Sequence, residues 1–444
     1  MSNILIEGGV PLTGSVSISG SRNSAIKLIY ASMFSNEDIL LNNVPWVQPV
    51  FDDIEVIKSV GGKADWVGSN TIVLNGSQIS SFEIPKEIGS RFRTSMLFAG
   101  PLLFRFGKAF IPKFKNTKFK AGPVNRFLDT WKSLGFVIEE DEDYYKVTND
   151  GNASSASVNF KTVSHMGTDN AILSSVFLSG ETLISNSSEE PEIDDLIGLF
   201  NLMGGLVERV EDKKIKVNGV NIFKGARFDV CPDKTEFAVF ASAAVLTKGN
   251  LSIKGIKRES ILQFVNFLNK IGARFEFSEN ELRVWRNENT ILPSSVDISP
   301  SPGFVPDWQP LAVLILTQAE GESTVHDTVY VDRFGYCVDL NRMGAKIELV
   351  KPSDVNKPFV ISDDSYNAEE LGEPLTVAKV LGPSKLKGER ISVTDCRYIS
   401  VLVLAGLCAE GKSEIIGADG VSYYFEGFVD KLKALGAKIW ETQD

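Results

Sequence analysis

The sequence predicts an α/β protein of more than one domain, assembled from six repeated modules. Its 444 residues exceed what one ordinary hydrophobic core organises. Two series of signals then divide the chain. In the first, an aliphatic residue precedes a glycine and a small or apolar residue: Val60-Gly61-Gly62, Leu134-Gly135-Phe136, Met203-Gly204-Gly205, Ile271-Gly272-Ala273, Met343-Gly344-Ala345 and Leu435-Gly436-Ala437. Glycine suits a helix end that turns left-handed before a strand. In the second, an apolar helix stops near Asn36, Gly107, Gly180, Gly249, Gly321 and Gly411. β-type runs follow these stops, such as Asp38-Ile-Leu-Leu-Asn42 and Asn250-Leu-Ser-Ile-Lys254. The series keep step at a period of roughly 70 residues, too long for a solenoid, so each unit is expected to be a compact α/β module.

Taken in order, residues 1–9 read as a strand and turn. No basic region precedes an apolar run there, so a signal peptide is not expected. Six apolar helices are expected near residues 24–34, 93–104, 168–178, 235–246, 307–316 and 396–408. They are apolar nearly all round, which at this length means burial inside a domain. The last interval is longer by about 20 residues, matching a polar, proline-containing insertion near 351–387. The longest apolar run, 398–409, is too short to cross a bilayer and reads as a buried helix.

Composition narrows the function. A formal charge of −11 argues against a general nucleic-acid partner, and no segment calls for a membrane. Cys231, Cys337, Cys396 and Cys408 lie far apart with no CxxC spacing, as expected of reduced thiols in a cytoplasmic protein. With only His165 and His326, a histidine-rich metal site is close to excluded.

Each apolar helix opens on a polar cluster. In order these are Ser21-Arg22-Asn23; Arg91 with Arg93; Ser164-His165-Met166-Gly167-Thr168-Asp169-Asn170; Pro232-Asp233-Lys234-Thr235-Glu236; Pro306-Asp307; and Thr394-Asp395-Cys396-Arg397. Free N–H groups and an aligned dipole make such heads suited to anions. Capping accounts for Ser21, Thr168 and Asp395. It does not account for Arg22, Arg93 and Arg397, because a cation at a helix N-terminus opposes the dipole, and anion recognition is the functional reading. Asp307 has two readings. An acid after Pro306 suits a helix head, and a carboxylate among such heads suits acid–base chemistry.

These motifs resemble the enolpyruvyl transferase family, most closely its nucleotide-sugar branch, from Ile6-Glu-Gly-Gly9 to Leu435-Gly-Ala-Lys-Ile439. Ser19-Gly-Ser-Arg-Asn-Ser-Ala25 is similar to the family's Ser-Gly-Ala-Lys-Asn-Ala-Ala. Arg93-Thr-Ser95 with Gly100-Pro-Leu-Leu103, Glu190-Pro-Glu-Ile193, Ser301-Pro-Gly-Phe-Val-Pro-Asp-Trp-Gln309, Asp332-Arg-Phe334 and Asp395-Cys-Arg397 also resemble family motifs. The resemblance implies a two-domain, inside-out α/β barrel with three βαβαββ-type repeats per domain. It places one domain at 21–228, with a mobile loop at 108–123, and the other at 1–20 plus 229–444. The ligands would lie in the cleft between them.

The implied reaction transfers the enolpyruvyl group of phosphoenolpyruvate to a hydroxyl of UDP-N-acetylglucosamine or a related nucleotide-sugar, and releases phosphate. A nucleoside or shikimate 3-phosphate is the alternative acceptor, and a non-catalytic nucleotide-sugar-binding relative the alternative class. No metal or organic cofactor is implied. Carried over by position, Asp307 meets the acceptor hydroxyl, Arg22 and Arg397 face phosphoenolpyruvate, and Asn23, Arg93, Ser164 and Lys120 contact substrate.

The loop departs from the pattern. Pro112-Lys-Phe-Lys-Asn-Thr-Lys-Phe-Lys-Ala-Gly-Pro123 has neither the cysteine nor the aspartate of the family loop. Its lysines suit a lid over anions or a solvated charged segment. Arg22 stands where the family has lysine, and His165 enters the third head. Proton delivery then comes from elsewhere, or the reaction differs; His165 is one group able to supply it, against the reading of it as a buried, satisfied histidine.

Overall fold

The computed structural model describes residues 2–114, 124–286, 290–362 and 366–443. The chain divides into two compact units, Gly20–Cys231 and Met1–Ser19 with Pro232–Asp444. Each has its own apolar core.

Among the described residues six small sheets account for the six modules, five with four strands and one with three. One βαβαββ plan recurs. A strand leads into a core helix, the next strand pairs parallel with the first, and a second helix leads to a hairpin that extends the sheet antiparallel. In the third module Ser157–Ser164 precedes the core helix and pairs parallel with Glu181–Ser187; Lys214–Asn218 and Leu206–Glu211 complete the sheet. In the second module the opening strand shrinks to one bridge, Glu83 to Phe110, leaving Lys108–Pro112, Tyr144–Thr148 and Val137–Glu140.

The core helices are Arg22–Ser32, Ala99–Phe106, His165–Ser175, Lys234–Leu246, Gln309–Leu316 and Ile399–Cys408. They lie within three residues of the expected spans once three short 3₁₀ turns are joined on. Those turns, Arg93–Phe98, Pro306–Trp308 and Cys396–Tyr398, open the second, fifth and sixth helices. In the second unit the three core helices pack on one another pairwise.

The first glycine series behaves as expected: Gly61, Gly135, Gly204, Gly272, Gly344 and Gly436 have φ between 81° and 105°. Gly249 in the other series differs. Lys248 takes the left-handed residue, φ 55°, and Gly249 is required by space, since a Cβ there would sit 2.2 Å from the Leu12 carbonyl oxygen. Gly249→Ala is therefore expected to destabilise the unit by about 1–3 kcal/mol, as overpacking does. A urea midpoint equal to wild type would contradict that contact.

Within the insertion expected near 351–387, Val377–Gly382 is a regular strand of the fifth sheet and Ala368–Leu371 a short helix. The first and fourth sheets exchange their opening strands along the chain. Thr13–Ser17 leads into the first core helix but pairs with Asn250–Lys254, while Ala226–Asp229 leads into the fourth but pairs with Ile39–Asn42. The sixth sheet takes Ser2–Glu7 between Lys412–Ile416 and Lys438–Gln443. No helix among the described residues is long and apolar enough to cross a membrane.

Candidate functional site

The expected site residues fall into two groups, one in each unit. In the 20–231 unit, Arg22 and Asn23 form the first turn of the first core helix, with Arg22 Nη2 donating to Asn23 Oδ1 at 3.3 Å. Ser21 caps that helix through the Ser24 N–H. Arg93 sits on the 3₁₀ turn of the second head, with Nη2 3.0 Å from Met166 Sδ of the third. Arg22, Asn23 and Arg93 are half-buried.

At the third head the cap is Ser164, whose Oγ accepts from the Gly167 N–H at 3.1 Å. This corrects the expectation for Thr168. Its hydroxyl donates to the Ser164 carbonyl at 2.7 Å and accepts from the Ser188 N–H at 2.9 Å, so it ties the helix to the following loop.

Behind these heads lies a charged cluster that the motif comparison passed over. Lys27 Nζ, on the buried face of the first core helix, is 2.5 Å from His165 Nε2 and 3.2 Å from Asp169 Oδ2. The Lys27 and Asp169 side chains are 5% and 0% exposed, and His165 is 26% exposed at the rim. Burial pushes the Asp169 carboxyl up to about 7, with Lys27 opposing the rise. The sequence signal was a single lysine inside the apolar run 24–32.

In the other unit, Asp307 lies on the 3₁₀ turn Pro306–Trp308, flanked by buried Phe304, Val305 and Trp308. The Trp308 ring packs 5.3 Å from Phe304 and 5.4 Å from Phe264, which anchors the turn to the core. The turn's cap position is Val305, which makes no side-chain cap. Asp307 is 47% exposed, and its Oδ1 accepts from Arg333 Nη1 at 3.0 Å. Arg333 also lies over the Tyr330 ring at 4.2 Å. Burial opposes its charge, but Asp307, Tyr330 and Asp327 together offset that and raise its pKa. Its Nε is buried with no hydrogen-bond partner among the described residues.

Arg333 lies in Asp332-Arg-Phe334, but nothing in that motif signals its pairing with a carboxylate 26 positions earlier. The turn that carries it is fixed by buried Asp327, which accepts from the Val329 and Tyr330 N–H groups at 2.8 and 2.9 Å. Tyr336 OH donates to Gln309 Oε1 at 2.9 Å, and its ring packs tilted against Tyr398 of the sixth head, with centroids 5.0 Å apart.

Arg397 follows. Its Nε donates to both Asp395 oxygens, at 3.0 and 2.9 Å, and its Nη2 to Oδ2 at 2.5 Å. Asp395 also caps the turn through the Arg397 N–H at 3.0 Å. The sequence argument treated Arg397 as a cation against the dipole. The structure supplies a carboxylate that neutralises it, so its place at the head also has a structural account. Lys120 and most of the basic loop lie outside the described residues. Among the described residues no group of three or more His, Cys, Asp or Glu side chains could hold a metal ion.

A counterpart to Asp169 occurs at the fourth head. Glu236 is 1% exposed, accepts from the Ser19 N–H at 2.6 Å and pairs with Lys431 Nζ at 2.5 Å. Burial pushes it up to about 7, against the pull of Lys431. Both carboxyls hold protons more tightly folded than unfolded. Each therefore contributes stability that is full below about pH 4 and lost as pH rises towards 7. Glu236→Gln and Asp169→Asn are each expected to flatten the fall in urea midpoint between pH 4 and 8. A slope unchanged in both would refute this.

A family model described as EPSP synthase (3-phosphoshikimate 1-carboxyvinyltransferase) matches residues 6–432. The chain is 31% identical to a UDP-N-acetylglucosamine 1-carboxyvinyltransferase of Wolbachia pipientis subsp. Culex pipiens, covering 99% of each chain. It is 30% identical to UDP-N-acetylglucosamine 1-carboxyvinyltransferase 2 of Carboxydothermus hydrogenoformans, covering 100% of both. Among solved structures, the enolpyruvyl transferase NikO from Streptomyces tendae superposes with a TM-score of 0.84 at 20% identity, over 100% of this chain and 99% of that one. EPSP synthase from Acinetobacter baumannii gives 0.73 at 15%, over 100% of both.

Proposed function

The chain belongs to the EPSP synthase, or enolpyruvyl transferase, family and is a transferase; on that premise we propose that it moves the enolpyruvyl group of phosphoenolpyruvate onto a hydroxyl of UDP-N-acetylglucosamine or a related nucleotide-sugar. Phosphate is released, and the product feeds peptidoglycan precursor synthesis in the cytoplasm. The observation that carries the reading is the half-exposed carboxylate of Asp307, held by Arg333 on an anchored turn. The names of the full-length relatives support the choice of acceptor.

In this reading Asp307 takes the proton of the acceptor hydroxyl as its oxygen bonds to C2 of phosphoenolpyruvate. A proton is added at the methylene carbon. Loss of that proton and of phosphate from the adduct then restores the double bond. Arg22 and Arg397 face the phosphate and carboxylate of phosphoenolpyruvate, for which planar guanidinium is suited. Asn23, Arg93 and Ser164 hold the acceptor, and Lys120 contributes to substrate binding.

Phosphate release from phosphoenolpyruvate, measured with UDP-N-acetylglucosamine, a nucleoside and shikimate 3-phosphate in turn, tests the reading. Turnover with UDP-N-acetylglucosamine is expected. Turnover only with another acceptor would move the substrate, and none with any acceptor would sink the reaction.

A further inference from the structure

The Lys27–His165–Asp169 cluster has a chemistry that the reaction above does not use. A lysine ammonium has three donors and no acceptor. Its 2.5 Å contact with His165 Nε2 therefore makes that nitrogen the acceptor, and the ring's proton lies on Nδ1. Asp169 Oδ2, 3.2 Å from the same ammonium, balances its charge without competing for the ring. At 3.9 Å from His165 Nε2, that carboxylate oxygen is beyond hydrogen-bond reach. The cluster runs from a fully buried carboxylate through a buried ammonium to an imidazole at the rim.

The rim is where the expected substrate residues gather. Arg22 and Asn23 occupy the first turn of the helix that carries Lys27. Ser164 immediately precedes His165, and Arg93 touches Met166, which immediately follows it.

We propose that Lys27, supported by Asp169, is a positioning residue that fixes His165 as the neutral Nδ1–H tautomer, and that His165 donates this hydrogen to an anionic substrate oxygen. This rests on the reading in the preceding subsection for the substrate, but not for the tautomer. A neutral imidazole so held is a directed donor and adds no second positive charge beside Lys27. Where a full proton passes to the substrate oxygen, the Nδ1–H bond breaks as one Lys27 N–H proton moves to Nε2; return of a proton from that oxygen to Nδ1, with the Nε2 proton going back to Lys27, restores both. Charged and titratable groups around the cluster are Arg22 on the Lys27 helix, Asp195 bonded to Ser24, Glu190 and Glu192 at the next helix, Arg93, and Arg126 bonded to Thr162.

The chain has two histidines, which makes the test direct. In full-length protein carrying 15N-labelled histidine, His165→Gln identifies the His165 signals. At pH 7.5 those signals are expected to show a protonated Nδ1 and a bare Nε2. A protonated Nε2, in either a neutral or a charged ring, would overturn the proposal. Lys27→Met is expected to release the ring, mixing the tautomers and adding an acid limb to the kcat/KM profile that the wild type lacks. Lys27→Arg, which keeps a donor, restores the wild-type profile. If Lys27→Met does not fold, the wild-type spectrum alone decides the tautomer. Addition of phosphoenolpyruvate, UDP-N-acetylglucosamine or inorganic phosphate is expected to shift the Nδ1–H signal. A signal unmoved by all three would overturn the donor role, whereas absent turnover with a shifted signal would count only against the reaction.

Discussion

Asp307→Ala is expected to lower the rate of phosphate release by about 10²- to 10⁴-fold, the range associated with loss of a positioned base. The fold should survive. The apolar neighbours that hold the turn, Phe304, Val305 and Trp308, are untouched and buried. The carboxylate itself is 47% exposed, but Arg333 is only 18% exposed, so removing its partner costs more than the roughly 1 kcal/mol or less of a surface ion pair. A lowered but still cooperative thermal melt is therefore expected. Assay and melt together separate the outcomes, since a folded variant with wild-type turnover removes Asp307 from the chemistry. Arg333 is then the next residue to examine, because it fixes where the carboxylate points.

Arg397→Lys keeps the charge and loses the geometry. The guanidinium spans both oxygens of Asp395 and presents its plane near Tyr398 at 5.5 Å. A lysine ammonium is a point charge that cannot reproduce that fork. The expected result is a KM for phosphoenolpyruvate raised about 10- to 100-fold, the equivalent of one charged hydrogen bond. The KM for the acceptor should change little. Initial rates with each substrate varied in turn check this, and a shift confined to the acceptor would reverse the assignment. A fall in stability without a KM change would favour the structural account, in which Arg397 serves only to balance Asp395.

The modular plan was legible because its marks are local. Each of the six Gly61-type positions ends a helix with a backbone that side chains resist, so the demand is written at one residue and repeats with the module. The six head clusters were legible for the same reason. What was not legible depends on distance along the chain. Lys27 and His165 are 138 positions apart, and nothing in either neighbourhood names the other. The Arg333–Asp307 pair and the tilted packing of Tyr336 against Tyr398 are likewise tertiary. Thr168 was misread for a subtler reason. Both Ser164 and Thr168 suit a cap, and the choice turned on whether the helix begins at His165 or three residues later. The 3₁₀ openings at Arg93, Pro306 and Cys396 escaped notice because a proline or polar residue marks a helix start without fixing its pitch.

The exchanged opening strands have a consequence for how the protein is made. On the ribosome, Thr13–Ser17 emerges long before its partner Asn250–Lys254, and Ser2–Glu7 emerges before both Lys412–Ile416 and Lys438–Gln443. At bacterial or eukaryotic elongation rates of about 5–20 residues per second, the first strand waits roughly 20–80 s for its sheet. The 20–231 segment, by contrast, holds all the strands of its own sheets once Ala226–Asp229 has appeared. Translation therefore delivers a finished inner unit while both ends of the outer one are still apart, and a nascent chain stalled near residue 260 should already protect the first unit from protease.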